Sequence, residues 1–262
     1  MKIDLIMASC NRPHLLELGL WSIYNQNTNH DLKIIVCNDG LIDSTEAVCQ
    51  KYKNKLNIEY FYTGQRNKNK IIIRRSPGYA LNIGAKQSTG EILILSCPEI
   101  FHLNDTINLI TKPLLYNKKL LTIPKTMYFD DTGNTLKYLQ KNNTVILPNN
   151  LLKEITKDKE AINSVTMPYL MGMMRQEYLD IRGYDEDFIG YAGADTDLVN
   201  RLKLKGLKHY RTEAKIIHLY HGSRCDSKTH WENPRWAYNY NLLLKRKGII
   251  VRNINKKWGI IK

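Results

Sequence analysis

The chain has 262 residues, 43% hydrophobic and 24% charged, enough for a substantial core and unlike a disordered or fibrous chain. Lysine and arginine number 39 against 25 acidic residues; the resulting net charge of +14 favours a nucleotide, a nucleic acid or an anionic membrane surface as partner and says nothing of the fold. Five scattered cysteines without a Cys-x-x-Cys pair argue against a disulfide framework or zinc knuckle and predict reduced thiols in the cytoplasm, while no run approaches the ~20 apolar residues of a membrane span, which predicts a soluble protein with peripheral membrane contact left open.

In chain order, Ile3–Met7 reads as a short strand. Asn11-Arg12-Pro13 opens a helix with Leu16, Leu20 and Ile23 on one face, proline being suited to a first turn. Lys33–Cys37 is a buried-type strand ending at Asn38-Asp39-Gly40, followed by a helix near Ser44–Tyr52 and a strand near Ile58–Tyr62. Pro77–Ser88 reads as a helix closed by Gly90, and Ile92–Leu95 as the next strand. Strands alternating with helices predict an α/β fold with a mostly parallel central sheet flanked by helices, in which ligands bind beyond the carboxyl ends of strands. Ser9–Arg12, Asn38–Gly40 and Ser96–Glu99 fall at such ends and are expected to converge on one crevice. Further on come a helix near Thr106–Tyr116, a strand near Leu120–Tyr128, a polar stretch at 130–143 and a strand at Ala214–Leu219. After a polar loop from Gly222 to Pro234, an aromatic helix carries Trp236, Tyr238 and Tyr240, and a basic tail runs from Lys245 without an acid.

The most informative stretch is 182–202. Gly190, Tyr191 and Gly193 lead into Asp195 and Asp197, and Leu198 and Leu202 begin an apolar helical stripe. Glycines let backbone approach a ligand, an aromatic offers a flat face to a sugar or base, and carboxylates in a first helical turn are favoured in their charged form. A charged carboxylate beside a ligand-sized gap suits a general base, and an ordinary Asp N-cap after a glycine-containing loop is the alternative.

Taken together these segments resemble glycosyltransferase family 2 enzymes of the GT-A fold, with a C-terminal half similar to the galactosyltransferase and polypeptide-GalNAc-transferase type. Ala8–Pro13 looks like the family's opening strand–helix turn, Val36–Gly40 like its Asp-Asp-Gly-Ser motif, and Pro77–Ala85 like its Ala-Arg-Asn-x-Gly helix. Gly183–Leu198 resembles its Gly-Gly-Phe-Asp-Glu…Gly-Trp-Gly-Gly-Glu-Asp-x-Asp-Leu motif. The resemblance implies a nucleotide-sugar donor, bound by Ala8, Ser9, Asn11, Arg12, Asp39, Arg75, Asn82, Ser96 and Cys97, with Asp39 on the base, usually uracil. It implies Asp195 as catalytic base and Tyr191, Gly193, Ala194 and Asp197 on the acceptor side. Tyr191 and Ala194 replace the family's Trp and Glu, so acceptor recognition is expected to differ.

The resemblance also implies a divalent cation, Mn²⁺ or Mg²⁺, yet Ser96-Cys97-Pro98 stands where Asp-x-Asp is expected. Glu99 with His218 is the expected reduced site, His221 and His102 being further candidates. Because residues three apart on a strand face opposite sides, His218 and His221 can share an ion only if the strand breaks at Leu219. Without an ion, basic side chains would carry the leaving-group charge.

The organisation expected is a glycosyltransferase domain over 1–225, with a nucleotide-binding half 1–102 and an acceptor-side half 103–225, followed by a lid, helix and basic tail over 226–262. The function implied is inverting sugar transfer to a hydroxyl acceptor, most simply a glycan served in the cytoplasm. A modified base in DNA is the alternative acceptor, and a non-catalytic nucleotide-sugar binder the alternative class. The tail with Trp258 would meet anionic lipid or nucleic-acid phosphate.

Overall fold

The computed structural model describes residues 1–26, 31–64, 76–156, 169–190, 192–222 and 234–261. In order these form β1 (Lys2–Ser9), α1 (Pro13–Tyr24), β2 (Asp31–Asn38), α2 (Thr45–Tyr52), β3 (Asn57–Tyr62), α3 (Gly78–Gln87), β4 (Ile92–Ser96), β5 (Ile100–His102) and α4 (Thr106–Tyr116). The second half holds β6 (Leu120–Phe129), α5 (Asn134–Asn142), α6 (Asn149–Thr156), β7 (Leu170–Met174), α7 (Arg175–Asp180), α8 (Ala194–Leu204), β8 (Lys208–His218) and α9 (Pro234–Lys245). Among the described residues no helix is long and apolar enough to cross a membrane.

The described strands make one sheet in the order β3-β2-β1-β4-β7-β6-β8-β5. β3, β2, β1 and β4 are parallel neighbours, as the alternating pattern predicts. β7 joins β4 and β6 antiparallel, β6 and β8 are parallel, and the short β5 closes the edge antiparallel to β8. Because strand side chains alternate, Ile3, Leu5 and Met7 enter the core beneath α1, α2 and α4, while Ile6 enters the opposite one with α3, α7 and α8. Asp4, which interrupts the apolar run of β1, is buried and its Oδ2 accepts from the backbone N–H groups of Thr89 and Gly90, both at 2.6 Å, tying the α3–β4 turn to β1. The polar stretch 130–143 contains α5, whose first turn is held by Asp130 accepting from the N–H groups of Thr135 and Leu136 at 3.1 and 2.9 Å.

The C-terminal segment is built into this framework. Trp258 is buried in the core beneath α3, with the Lys86 ammonium 5.2 Å and the Arg182 guanidinium 5.9 Å from its ring centroid. Arg252 reaches Asp185 at 3.1 Å and Asp197 at 2.6 Å, Arg246 pairs with Asp185 and Asp187, and Lys256 bonds Asp187 at 2.5 Å. The tail positions expected to meet lipid or nucleic acid are therefore turned inward at Arg246, Arg252, Lys256 and Trp258. Asp185 and Asp197 are almost fully buried, and removing one partner of such a pair leaves an uncompensated buried charge. Arg252→Ala is expected to destabilise the fold by about 3–5 kcal/mol, seen as a lower urea midpoint.

Candidate functional site

The three polar strand ends converge as expected. The Asp39 N–H donates to the Ser9 carbonyl at 2.8 Å, joining β1 to β2 just beyond the sheet. Asn11, in the left-handed region with φ 57°, turns its Oδ1 to accept the Leu41 N–H at 2.7 Å and so closes the Asp39-Gly40-Leu41 turn over the start of α1. A Cβ on Gly40 would stand 2.3 Å from Asn11 Oδ1 and 2.8 Å from Asn11 N. Gly40→Ala must therefore push the two turns apart, and a loss of about 1–3 kcal/mol is expected in denaturant unfolding. Asp39 and Ser9 are fully buried at this floor, and Ser9 Oγ has no hydrogen-bond partner among the described residues. Ala8 leads into it, packed against the core.

Glu99, just after β4, lies beneath the end of β8. The Leu219 N–H donates to the Glu99 carbonyl at 2.9 Å, and β8 ends at His218. The strand thus breaks where both histidines need it to. His218 Nε2 and His221 Nε2 stand 3.6 and 3.7 Å from Glu99 Oε1, and one ligand atom from each of the three lies within 4.8 Å of the others. Phe129 and Tyr169 flank the His218 ring at 5.5 and 5.1 Å between centroids, fixing its plane. Glu99 Oε2 is buried without a hydrogen-bond partner among the described residues, and a cavity of about 190 Å³ lined by Asp130, Asp131, His218 and His221 opens alongside. An under-satisfied buried carboxylate facing two imidazoles fits a divalent cation. Arg12 is already present, donating from Nη1 to Glu99 Oε1 at 2.9 Å, so the guanidinium expected on the nucleotide holds the cluster's carboxylate.

Asp195 occupies the first turn of α8, after Gly193 at φ 84° and Ala192 at φ 72°. Its Oδ1 accepts from the Tyr184 hydroxyl at 2.8 Å, and the carboxylate remains part-exposed. Burial pushes the Asp195 carboxyl up to about 6, against the Tyr184 hydrogen bond, which lowers it. Burial and the Asp195 charge hold the Tyr184 phenol well above its ordinary value, so it stays a donor. Asn239 of α9, buried, supports the loop before α8: it donates to the carbonyls of Ile189 and Ala192 at 2.7 and 3.0 Å and accepts from the Ile189 N–H at 3.1 Å.

Other expected site residues are placed elsewhere. Asn82 is fully buried and brackets the Tyr184 backbone, with no face on the crevice. Ser96 is buried and donates to the Tyr169 carbonyl at 3.1 Å; Cys97 beside it is part-exposed. Ala194 turns its methyl into the core. Asp197 is not open to an acceptor: its two oxygens are taken by Arg201 at 2.7 Å and Arg252 at 2.6 Å, because two positions along a helix rotate it away from Asp195. His102 is not with the cation cluster. Three positions from Glu99 on an extended segment it points the other way, where Nδ1 bonds Thr106 Oγ1 at 2.6 Å and burial pushes its imidazole down to about 3. Arg75, Tyr191 and residues 223–233 of the expected lid lie outside the described residues.

The model of glycosyl transferase family 2 matches residues 4–182, well over half of the chain. The chain belongs to glycosyl transferase family 2. A second model, described as the N-terminal domain of galactosyltransferase, matches residues 168–222, the part of this family 2 protein that carries Asp195, His218 and His221. Over 58 residues it is 33% identical to the chondroitin synthase of Pasteurella multocida (strain Pm70) and to a hyaluronan synthase of Pasteurella multocida; the matched part is 22% of this chain and 6% of either relative. Its fold is similar to GalNAc-T7 solved with UDP, GalNAc and Mn²⁺, at TM-score 0.63 and 12% identity over 93% of this chain and 48% of the other. It is also similar to S. aureus TarS 1-349 in complex with UDP-GlcNAc (TM-score 0.58, 16% identity, 87% and 61% covered). A third similar structure is the mannosyltransferase PcManGT from Pyrobaculum calidifontis with GDP-Man and Mn²⁺ (0.59, 14%, 93% and 63%). The family 2 chain thus spans less than two thirds of each of these proteins, and the likeness establishes its GT-A fold.

Proposed function

We propose that the protein is an inverting glycosyltransferase that moves a sugar from a nucleoside-diphosphate sugar, a UDP-sugar in the first instance, to a hydroxyl of a glycan acceptor in the cytoplasm. The observation that carries this reading is Asp195, a part-exposed carboxylate at a helix start, held by Tyr184 and raised to about 6, a value suited to a base working near neutrality. Asp195 takes the proton of the acceptor hydroxyl as its oxygen bonds to the anomeric carbon. The bond from that carbon to the diphosphate oxygen breaks, and the nucleoside diphosphate leaves. Asp39 at the crevice floor is the candidate for the base, with Ser9 and Asn11 shaping the nucleotide's edge. Glu99, His218 and His221 would hold a divalent cation, which supplies positive charge to the leaving diphosphate. Two imidazoles in the set suit Mn²⁺ better than Mg²⁺, which prefers oxygen throughout.

Support for a UDP-sugar comes from the UDP and UDP-GlcNAc held by structural neighbours, and for a glycan acceptor from the chondroitin and hyaluronan synthases to which a 58-residue stretch of the chain is 33% identical. A DNA acceptor is less favoured, because the tail that motivated it pairs Arg246, Arg252 and Lys256 with the protein's own aspartates. The test is release of free nucleoside diphosphate from a panel of UDP-, GDP- and CDP-sugars with oligosaccharide acceptors, in Mn²⁺, Mg²⁺ or EDTA. Turnover of one donor with loss in EDTA is expected. Binding of a nucleotide sugar without turnover of any would instead support the non-catalytic reading.

A further inference from the structure

We infer that Tyr184 is the positioning residue for the general base: its hydroxyl fixes one oxygen of Asp195 and leaves the other turned to the acceptor hydroxyl. This rests on the reading of Asp195 given above. Three features make the tyrosine a fixed donor. Its backbone is gripped from two distant segments: Asn82 Oδ1 accepts the Tyr184 N–H at 2.8 Å, and Asn82 Nδ2 and Asn253 Nδ2 both donate to its carbonyl, at 2.9 and 2.7 Å. Its ring is wedged, since a Cβ on Gly78 would stand 2.3 Å from Tyr184 Cγ, leaving room for glycine alone at the start of α3. Its hydroxyl has Asp195 as its described hydrogen-bond partner, at 2.8 Å.

A buried aromatic of this size needs no hydroxyl to fill its space; phenylalanine would do so without presenting a polar group that must be satisfied. The hydroxyl is spent on one oxygen of the carboxylate. The grip on the backbone also explains why Asn82 and Asn253, distant in sequence, are both buried and meet at one carbonyl. A hydrogen bond to the ionised form favours that form, so the same contact keeps Asp195 deprotonated to lower pH than burial alone would. The titratable groups facing Tyr184 are Asp195, Tyr178 and Cys97.

The test is the pH profile of kcat and of kcat/KM for Tyr184→Phe beside Asp195→Asn. Tyr184→Phe is expected to move the acid limb up by about one pH unit, cutting the rate about fivefold at pH 6, with donor KM changed less than about twofold. Replacing Tyr184 by 3,5-difluorotyrosine, a stronger donor of the same shape, is expected to move the limb down, and keeps the inference testable if the phenylalanine variant folds poorly. A Tyr184→Phe enzyme with wild-type kcat and an unmoved acid limb would overturn the inference while leaving the base intact. Wild-type transfer by Asp195→Asn would overturn the base itself.

Discussion

Asp195→Asn is expected to lower transfer by roughly 10²–10⁴-fold and, at the same time, to make the protein more stable at neutral pH. The first effect follows from removing the only described carboxylate that is both part-exposed and fixed by Tyr184. The second follows from linkage. The Asp195 carboxyl is raised from 3.8 to about 6 by burial, so between these values the folded protein holds a proton that the unfolded chain has lost. Stability at this site is therefore greatest at low pH, falls as pH rises through that window, and is lowest once the folded carboxyl is ionised. Asparagine keeps an oxygen for the Tyr184 hydroxyl and carries no charge to desolvate. Because the group is part-exposed, the gain at pH 7.5 is expected to be about 1–2 kcal/mol, below what the full shift would imply. Calorimetry should show a higher melting temperature for the variant at pH 7.5 and a closing gap toward pH 4. A gap that widens on acidification would mean that Asp195 is stabilised, not strained, in the folded state.

Glu99→Gln is expected to weaken Mn²⁺ binding on the order of 100-fold or more, and to abolish any dependence of turnover on the ion. Glu99 supplies the cluster's one carboxylate, and an amide cannot replace a hard anionic oxygen. His218→Ala and His221→Ala should each weaken the ion in the same titration. His102→Ala should leave it unchanged, because that imidazole bonds Thr106 on the other side of β5. Arg12 makes the experiment informative in the opposite case. Its guanidinium already neutralises Glu99 at 2.9 Å. If turnover survives EDTA in the wild type and is lost in Arg12→Ala, the leaving charge is carried by the guanidinium and not by an ion.

Much of the fold was legible because the first half of the chain is locally consistent. β1, α1, β2, α2, β3, α3 and β4 are short apolar β-rich runs or helical stripes that end in polar or glycine-rich turns, so chain order alone implied a parallel sheet and a crevice at its ends. What was illegible is equally specific. β7, Leu-Met-Gly-Met-Met, has neither alternation nor β-branched residues, because it is buried on both faces; its Gly172 is there because a Cβ would meet Thr122 Oγ1 at 2.5 Å and Ile110 Cγ2 at 2.6 Å. The three-residue β5 is too short for any period and exists by pairing with β8.

The same division runs through the site. The local sequence placed a carboxylate after a glycine turn at 195 and Asp39 at a strand end, and the family resemblance, with its Asp-x-Asp missing here, pointed to Glu99 and His218. Only the tertiary structure decided which neighbours share a cluster. The break after His218 brings His221 to Glu99, helical rotation takes Asp197 to Arg201 and Arg252, and chain segments far apart in sequence meet at Tyr184. The physical reason is that hydrogen bonds and ion pairs are chosen by position in space, whereas a sequence exposes only neighbours along the chain. The basic tail is a further instance: Arg246, Arg252 and Lys256, read alone as charged surface, pair in the fold with Asp185, Asp187 and Asp197, while Lys245, Lys247 and Lys257 stay exposed.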